Sequence, residues 1–249
     1  MKAWSDGLVS VITPAFNCER FIGDSIESVL AQTHTDWEMI IVDDCSTDRT
    51  MAVVKRFEDP RVRYYRMEKN VGAAEARNYA LGQAKGRYVA FLDADDLWKP
   101  TKLRVQLDFM KKSNIGFCFT AYEMAPGGKS KVIEVPRTLT YAQFMKNTII
   151  GTSTVVIDRH FTGDVRLVNV RKDHDSMTWA KMLREGITAY GLNENLATYR
   201  KVRGSISNDK LSAAKTHWRN CREVEGLSFW RCLYYFTFYA ANALKKHYL

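Results

Sequence analysis

The sequence predicts an α/β fold, with a mixed, mostly parallel sheet flanked by helices and a helical extension at the C-terminus. Three observations predict it. Apolar strand patterns alternate with amphipathic stretches of helix length through the first half. Acidic and hydroxyl residues collect directly after those strands, where open α/β sheets gather ligands. From Asn208 onward the spacing returns to that of a helix, dense in aromatics and cations.

Taken in order, Leu8–Thr13 reads as a buried strand and Arg20–Gln32 as a helix with Phe21, Ile22, Ile26, Val29 and Leu30 on its apolar side. Trp37–Val42 is a strand, and Asp48–Phe57 a helix with Ser46 and Thr47 as caps. A short strand, Arg61–Arg66, precedes a helix over Val71–Gln83, and Arg87–Leu92 is the next strand. A helix from Pro100 to Lys112 opens on a proline, which fits a first turn. Strands separated by such helices are β-α-β units on a parallel sheet.

The second half is less regular. Gly116–Tyr122 and Lys131–Val135 read as strands, with a turn at Gly127-Gly128. Thr140–Asn147 is a short helix behind a Thr cap, and Thr152–Ile157 is β-rich. Asp175–Arg184 is helical, with Gly186 where a C-terminal glycine cap belongs. Ile187–Tyr199 supplies short strands. The expected division is a domain over 1–208, with a first part over about 1–122 and a second over about 123–208, followed by a basic, aromatic-rich helical tail over 209–249.

The chain has 249 residues, 46% of them hydrophobic and 26% charged, which excludes intrinsic disorder. Its start lacks the apolar run of a signal peptide, so a cytoplasmic location is expected. The five cysteines are scattered and fit neither a disulfide framework nor a zinc knuckle. The formal net charge is +9, and from Tyr199 onward ten Lys/Arg face three acids. That basic end favours anionic partners.

The strand-end rule collects Thr13-Pro14-Ala15-Phe16-Asn17, Asp43-Asp44-Cys45-Ser46 and Asp93-Ala94-Asp95-Asp96 at one crevice. Helix capping explains one of the last three carboxylates and is an open reading for Asp43. Carboxylates this close repel unless a cation or proton intervenes, and Mg²⁺ or Mn²⁺ would suit one or two of them together with substrate phosphate oxygens. No G-x-G-x-x-G follows the first strand, Gly128-Lys129-Ser130 lacks the leading glycine of a P-loop, and no G-x-S-x-G occurs. Dinucleotide, P-loop and serine-hydrolase chemistry therefore lose their support.

Val9–Asn17, Gln32–Glu38, Val42–Asp48, Asn70-Val-Gly72 with Ala76-Arg-Asn78, and Phe91–Asp96 stand in the order and near the spacing of the signatures of family 2 glycosyltransferases of the GT-A fold, which the chain resembles across residues 8–110. A fainter likeness runs through Asp175–Gly186 and Tyr199-Arg200 to Gly204–Ser207. The resemblance implies an inverting, metal-dependent transfer of a sugar from a nucleotide-diphospho-sugar, expected to be UDP-linked, to an acceptor hydroxyl. A lipid-linked glycan of surface polysaccharide synthesis is the acceptor expected of bacterial relatives. Pro14, Phe16 and Asp44 would line the nucleobase pocket, and Arg77 would sit near the diphosphate or base. Asp93 and Asp95 match the D-x-D element, with Asp95 the direct metal ligand for Mn²⁺ or Mg²⁺. His174-Asp175 stands where the family carries Glu-Asp or Gln-Asp ahead of a Trp, here Trp179. Asp175 is the candidate base, Asp173 competes with it, and either carboxylate has a helix-capping reading. Arg200 and Arg203 would belong to a basic loop closing over the diphosphate, with a solvated turn as the alternative.

Leu227–Leu249 is rich in aromatics and ends in Lys245, Lys246 and His247, yet its apolar run from Cys232 to Leu244 is too short to span a bilayer. Peripheral contact with the inner face of the plasma membrane is expected of such a helix, with packing on the domain or a second subunit as the alternative. The rival activities are a nucleotidyltransferase, which lacks its phosphate loop here, and a non-catalytic nucleotide- or membrane-binding module, which leaves the converging acids unexplained. No nucleic-acid partner is expected, because those acids repel phosphates without a metal.

Overall fold

The computed structural model describes residues 4–125, 130–170, 172–200 and 210–248. Ten strands form one sheet: β1 (Ser5–Ala15), β2 (Trp37–Asp43), β3 (Val62–Arg66), β4 (Gly86–Phe91), β5 (Leu97–Trp98), β6 (Phe117–Ala125), β7 (Lys131–Ile133), β8 (Thr138–Leu139), β9 (Val156–Asp158) and β10 (Ala189–Arg200). The order is β3-β2-β1-β4-β9-β6-β10-β5, with β7 on β6 and β8 on β10. The long pairings are parallel: β1 with β2 and β4, β2 with β3, and β6 with β10. The short β9 runs antiparallel between β4 and β6 and welds the two parallel runs together. This is the mixed, mostly parallel sheet that the alternating pattern predicts.

The helices are α1 (Ile22–Leu30), α2 (Thr50–Val54), α3 (Ala73–Gln83), α4 (Lys102–Ser113), α5 (Tyr141–Lys146), α6 (Arg159–Thr162), α7 (His174–Arg184), α8 (Lys210–Glu223) and α9 (Phe229–Tyr248). The period-2 alternation of the strands sorts the apolar side chains onto two faces. Val9 and Val11 of β1 and Met39 and Ile41 of β2 pack with Ile22, Ile26 and Val29 of α1 and with Leu103 and Leu107 of α4. Ile12, Ile40, Val42 and Phe91 pack on the other face with Ala76, Ala80 and Leu81 of α3 and Trp179 and Leu183 of α7. Trp179 sits between Phe91 and Phe117, its ring centroid 5.4 and 5.3 Å from theirs. The result is a three-layer sandwich, which leaves the carboxyl ends of β1, β2 and β4 open.

Several expected boundaries change for physical reasons. Ser46 and Thr47 do not cap α2; the Asn17 N–H donates to Ser46 Oγ at 2.9 Å and Asn17 Oδ1 accepts from the Thr47 N–H at 2.8 Å, which ties two strand ends together. Asp48 instead takes the Thr50 N–H at 2.9 Å at the start of α2. Thr152–Thr154 forms a 3₁₀ turn rather than a strand, and the strand begins at Val156. The short strands expected over 187–199 are one strand, β10, broken by register shifts between Leu192 and Ala197. The capping Thr140 holds at α5, with its N–H donating to Gln143 Oε1 at 2.9 Å. Gly186 follows α7 with a φ of +93°, a left-handed geometry that suits glycine. The Gly127-Gly128 turn lies outside the described residues.

The C-terminal helices fold back on the α3–α7 face. Cys221 of α8 and Cys232 of α9 are buried there, His217 stacks on Tyr239 at 4.0 Å, and Tyr141 and Arg184 both donate to Glu225, at 2.8 and 2.7 Å. Among the described residues no helix is long and apolar enough to cross a membrane.

Candidate active site at the carboxyl edge of the sheet

The loops after β1 and β2 are stitched to each other. Ala15 C=O accepts the Asp44 N–H at 2.8 Å, and Asp43, fully buried, accepts from the Ser46 N–H at 2.8 Å and the Tyr64 hydroxyl at 2.5 Å. Asp43 is therefore spent on the turn and on Tyr64, and it caps no helix, since α2 begins at Thr50. Asp44 is also buried, and its two oxygens accept the Val71 and Gly72 N–H groups at 2.7 and 2.8 Å. Gly72 presents that N–H at a φ of +92°, which costs glycine little and a β-carbon more. Pro14, Phe16 and Asp44 thus share one rim, with Phe16 half exposed at 50% and Asp44 pinning the 70–72 segment beside it. Asn17 (φ 47°) and Cys45 (φ 66°) hold left-handed backbone on this rim, a costly conformation that accumulates at functional loops.

After β4 the three carboxylates divide. Asp96 is buried and accepts from the Ser153 hydroxyl at 2.6 Å and the Arg200 N–H at 3.1 Å, so it is a structural anchor. Asp93 and Asp95 remain toward the crevice. Arg77 of α3 is buried beneath them; one terminal nitrogen bonds Asp93 Oδ1 and the other His174 Nε2. Arg77 thus meets the crevice through Asp93 and not as a free guanidinium. Burial and the neighbouring Asp93 charge push the Asp95 carboxyl up to about 6. A carboxylate so disfavoured as an anion is a place for a cation. Among the described residues no three metal-binding side chains converge. Asp93 and Asp95 are the two carboxylates that could hold a divalent ion such as Mg²⁺ or Mn²⁺, which would supply positive charge beside a substrate phosphate.

The start of α7 meets this turn. Asp175 accepts from the Thr152 hydroxyl at 2.5 Å and the Ser176 N–H at 2.8 Å. Burial raises its pKa, but His174, the Thr152 hydroxyl and Arg77 outweigh that and hold the carboxyl below the usual range. Burial and Arg77 in turn lower His174, so it meets Arg77 as a neutral acceptor. Asp173 precedes the helix at a φ of 58°, its pKa pushed to about 6 by burial and Asp175. It also lies near enough to the tail for its charge to raise Cys221 and Tyr239. Of the two competing carboxylates, Asp175 is the one joined to the Asp93 side.

Arg200, expected to reach a diphosphate, directs its donors into the protein: Asp95 C=O, Asp24 Oδ2 at 2.5 Å and Phe21 C=O at 3.1 Å. It ties the end of β10 to the first turn of α1. Arg203 and Gly204–Ser207 lie outside the described residues. Two other motif residues are braces: Gln32 bonds Lys99 C=O at 2.8 Å and the Leu103 N–H at 3.0 Å, and Asn78 pairs twice with the Leu167 backbone, at 3.0 and 2.7 Å. The reading of the sequence missed Thr152, Ser153 and Tyr64. Thr152 and Ser153 show only as hydroxyls beside an apolar run, and Tyr64 as one of two tyrosines between arginines.

With this geometry in hand, the likenesses to known proteins are specific. The model of the family described as "Glycosyl transferase family 2" matches residues 10–169. A Bacillus subtilis (strain 168) protein provisionally named teichuronic acid biosynthesis glycosyltransferase TuaG is 51% identical over 99% of this chain and 99% of its own length. The Escherichia coli UDP-Glc:alpha-D-GlcNAc-diphosphoundecaprenol beta-1,3-glucosyltransferase WfgD is 37% identical over 97% of this chain and 96% of its own. Among solved structures, S. aureus TarS 1-349 in complex with UDP-GlcNAc superposes with a TM-score of 0.69 at 19% identity, over 86% of this chain and 66% of that one. Mannosyltransferase PcManGT from Pyrobaculum calidifontis, in complex with GDP-Man and Mn²⁺, gives 0.70 at 19% identity, over 88% and 64%. The solved chains establish the fold, the relatives align over nearly the whole chain and nearly their own whole length, and the chain belongs to glycosyl transferase family 2.

Proposed function

We propose that this glycosyltransferase moves a sugar from a UDP-linked donor to the hydroxyl of a lipid-linked glycan with inversion at the anomeric carbon. The observation that carries the reading is the Asp93–Arg77–His174 contact, which sets the end of β4 against the start of α7. Donor diphosphate on one side and acceptor hydroxyl on the other would then flank a single reacting carbon.

In this reading Phe16 offers a face for the base, Pro14 shapes the pocket floor, and Asp44 accepts the N3–H of uracil while holding the 70–72 segment. Asp95, with Asp93, would hold Mn²⁺ or Mg²⁺, which supplies charge stabilisation to the departing diphosphate. Arg77 keeps Asp93 oriented. Asp175, ionised at neutral pH, takes the acceptor proton as the oxygen attacks. Its Thr152 and Ser176 donors fix the carboxylate plane, leaving further lone pairs on both oxygens for that hydroxyl.

The lipid-linked acceptor is supported by the name of the E. coli relative, whose substrate is a diphosphoundecaprenol glycan. A lipid substrate also gives the outer face of α9 a role. Phe229, Trp230, Leu233, Tyr234 and Phe238 are exposed there, Trp230 by 76%. Lys146 stacks 4.9 and 4.8 Å over Tyr234 and Phe238. Aromatics flanked by cations suit an anionic bilayer surface, so we read this face as the membrane contact.

Calorimetric titration of UDP, with and without Mn²⁺, on wild type and Asp95→Asn tests the donor site. Binding that needs the ion and disappears in the variant is expected. Equal binding without ion, or an unimpaired variant, would remove Asp95 from its role.

A further inference from the structure

Adjacent hydroxyls on the 3₁₀ turn Thr152–Thr154 face the two halves of the site. The Thr152 hydroxyl donates to Asp175 Oδ2 at 2.5 Å. The next residue, Ser153, donates from its hydroxyl to Asp96 Oδ2 at 2.6 Å and accepts the Asp93 N–H at 3.1 Å. Its carbonyl accepts the Trp98 indole N–H at 2.7 Å. Both residues are buried, as is Trp98, so these bonds are shielded from water and costly to leave unmade. Two consecutive residues on a rigid turn hold their side chains at a nearly fixed separation. Whatever they grip is therefore held at a fixed separation too.

We propose that Thr152 and Ser153 form a positioning element that fixes the Asp175 carboxylate relative to the Asp93–Asp96 turn, and so sets the distance between base and donor diphosphate. This inference rests on Asp175 being the base. An inverting displacement needs acceptor oxygen, anomeric carbon and leaving oxygen in line, and an error of about 1 Å in that line costs about a hundredfold. The contacts of Arg77 with Asp93 and His174 run beside the clamp on the α3 side. The two links leave the start of α7 little freedom to drift from the end of β4.

Thr152 also supplies a donor that favours the ionised form of Asp175. The other charged or titratable groups facing that carboxylate are Asp173 and His174 on its own helix and Arg77 on α3. None of these changes when the Thr152 hydroxyl is removed, which makes the substitution a clean probe.

The test is a carboxyl-carbon NMR titration of the full chain, with the Asp175 signal identified by its loss in Asp175→Asn. In Thr152→Val the Asp175 midpoint should rise by about one to two pH units, the value of one hydrogen bond to a charged group. Thr152→Ser should restore it. Should the valine variant not fold, Thr152→Ala carries the same readout. Turnover of UDP-glucose with an α-GlcNAc-diphospho-lipid should fall in kcat for Thr152→Val with donor KM unchanged, and Ser153→Ala should raise donor KM. An Asp175 midpoint that stays put in Thr152→Val overturns the inference while leaving the base assignment intact. Full turnover by Asp175→Asn removes the base assignment and the inference together.

Discussion

Arg77 forms an ion pair with Asp93 in which the guanidinium is almost fully enclosed, at 6% exposure, and the carboxylate reaches the crevice, at 31%. The same guanidinium bonds the His174 ring, so one side chain serves both walls of the site.

Substitution at Arg77 should separate charge from geometry. Arg77→Met leaves Asp93 and Asp95 unbalanced and should cost about 2–4 kcal/mol in denaturant unfolding, toward the lower end for breaking a buried pair because Asp93 is partly solvated. Arg77→Lys keeps the charge but lacks the fork that spans two acceptors. It should recover most of the stability and little of the turnover. A methionine variant as stable as wild type would show that the pair does not stabilise the fold.

Asp95 should make the metal-free protein less stable as pH rises. A free aspartate titrates near 3.9, and this one is pushed to about 6. Between those values the folded chain binds the extra proton, so stability falls from about pH 4 to about pH 6 and stays at the lower level above. The loss is on the order of 2 kcal/mol. The difference in melting temperature between wild type and Asp95→Asn, followed in chelator from pH 4.5 to 8, isolates it. Mn²⁺ should raise the wild-type melting temperature at pH 7.5 far more than at pH 5, where the proton competes. Parallel curves for the two proteins would contradict the prediction.

Lys102 is an unused charge in the core. Its amine lies 4.1 Å over the Trp98 ring, has no hydrogen-bond partner among the described residues and is fully buried, and burial lowers its pKa to about 7. A free lysine titrates near 10.4, so the unfolded chain binds the extra proton between about pH 7 and pH 10.4. The stability lost to Lys102 is therefore greatest at and below pH 7 and vanishes toward pH 10. Lys102→Met, which keeps the length, should stabilise the protein by on the order of 2–4 kcal/mol at pH 7 and by little at pH 10. A destabilised variant at pH 7 would mean that the stack on Trp98 outweighs the desolvation.

The sequence made the sheet core legible because β1, β2 and β4 are short apolar runs that end in hydroxyls and acids, and the site lies where those runs stop. It hid the division of labour among the acids. Asp43, Asp96 and Asp95 look alike in a one-dimensional pattern, and only their partners separate two anchors from one crevice carboxylate. Thr152-Ser153-Thr154 reads as strand by β-branching, yet its hydroxyls find partners in a turn. β10 was obscured because Gly191, Asn193 and Glu194 interrupt its apolar pattern; the strand continues through them by shifting register. Arg200 carried the composition of a phosphate loop, but its position at the end of that strand places Asp24 and two carbonyls within reach.

The proposed membrane contact rests on the outer face of α9. Its inner side is committed: Tyr235 lies 6.4 Å from Tyr141, and Asn242 donates to Lys146 C=O at 3.0 Å. The exposed Trp230, Tyr234 and Phe238 recur at helical spacing, the last two beside Lys146, with Arg231 next to Trp230 in the sequence. If they enter a headgroup layer, each transfers a large apolar surface out of water and the cations gain from anionic lipid. Sedimentation with vesicles containing phosphatidylglycerol should therefore pull down wild type. Trp230→Ala should weaken binding about tenfold, given the free energy of burying one large side chain. Melting temperature should not change, because the Trp230 side chain is largely in solvent and meets its neighbour Phe229 edge-on. Raised salt should weaken binding further, and neutral vesicles should bind poorly. Equal sedimentation of wild type and Trp230→Ala would assign this face to something other than lipid, and a Trp230-dependent dimer in solution would name it as a second copy of the chain.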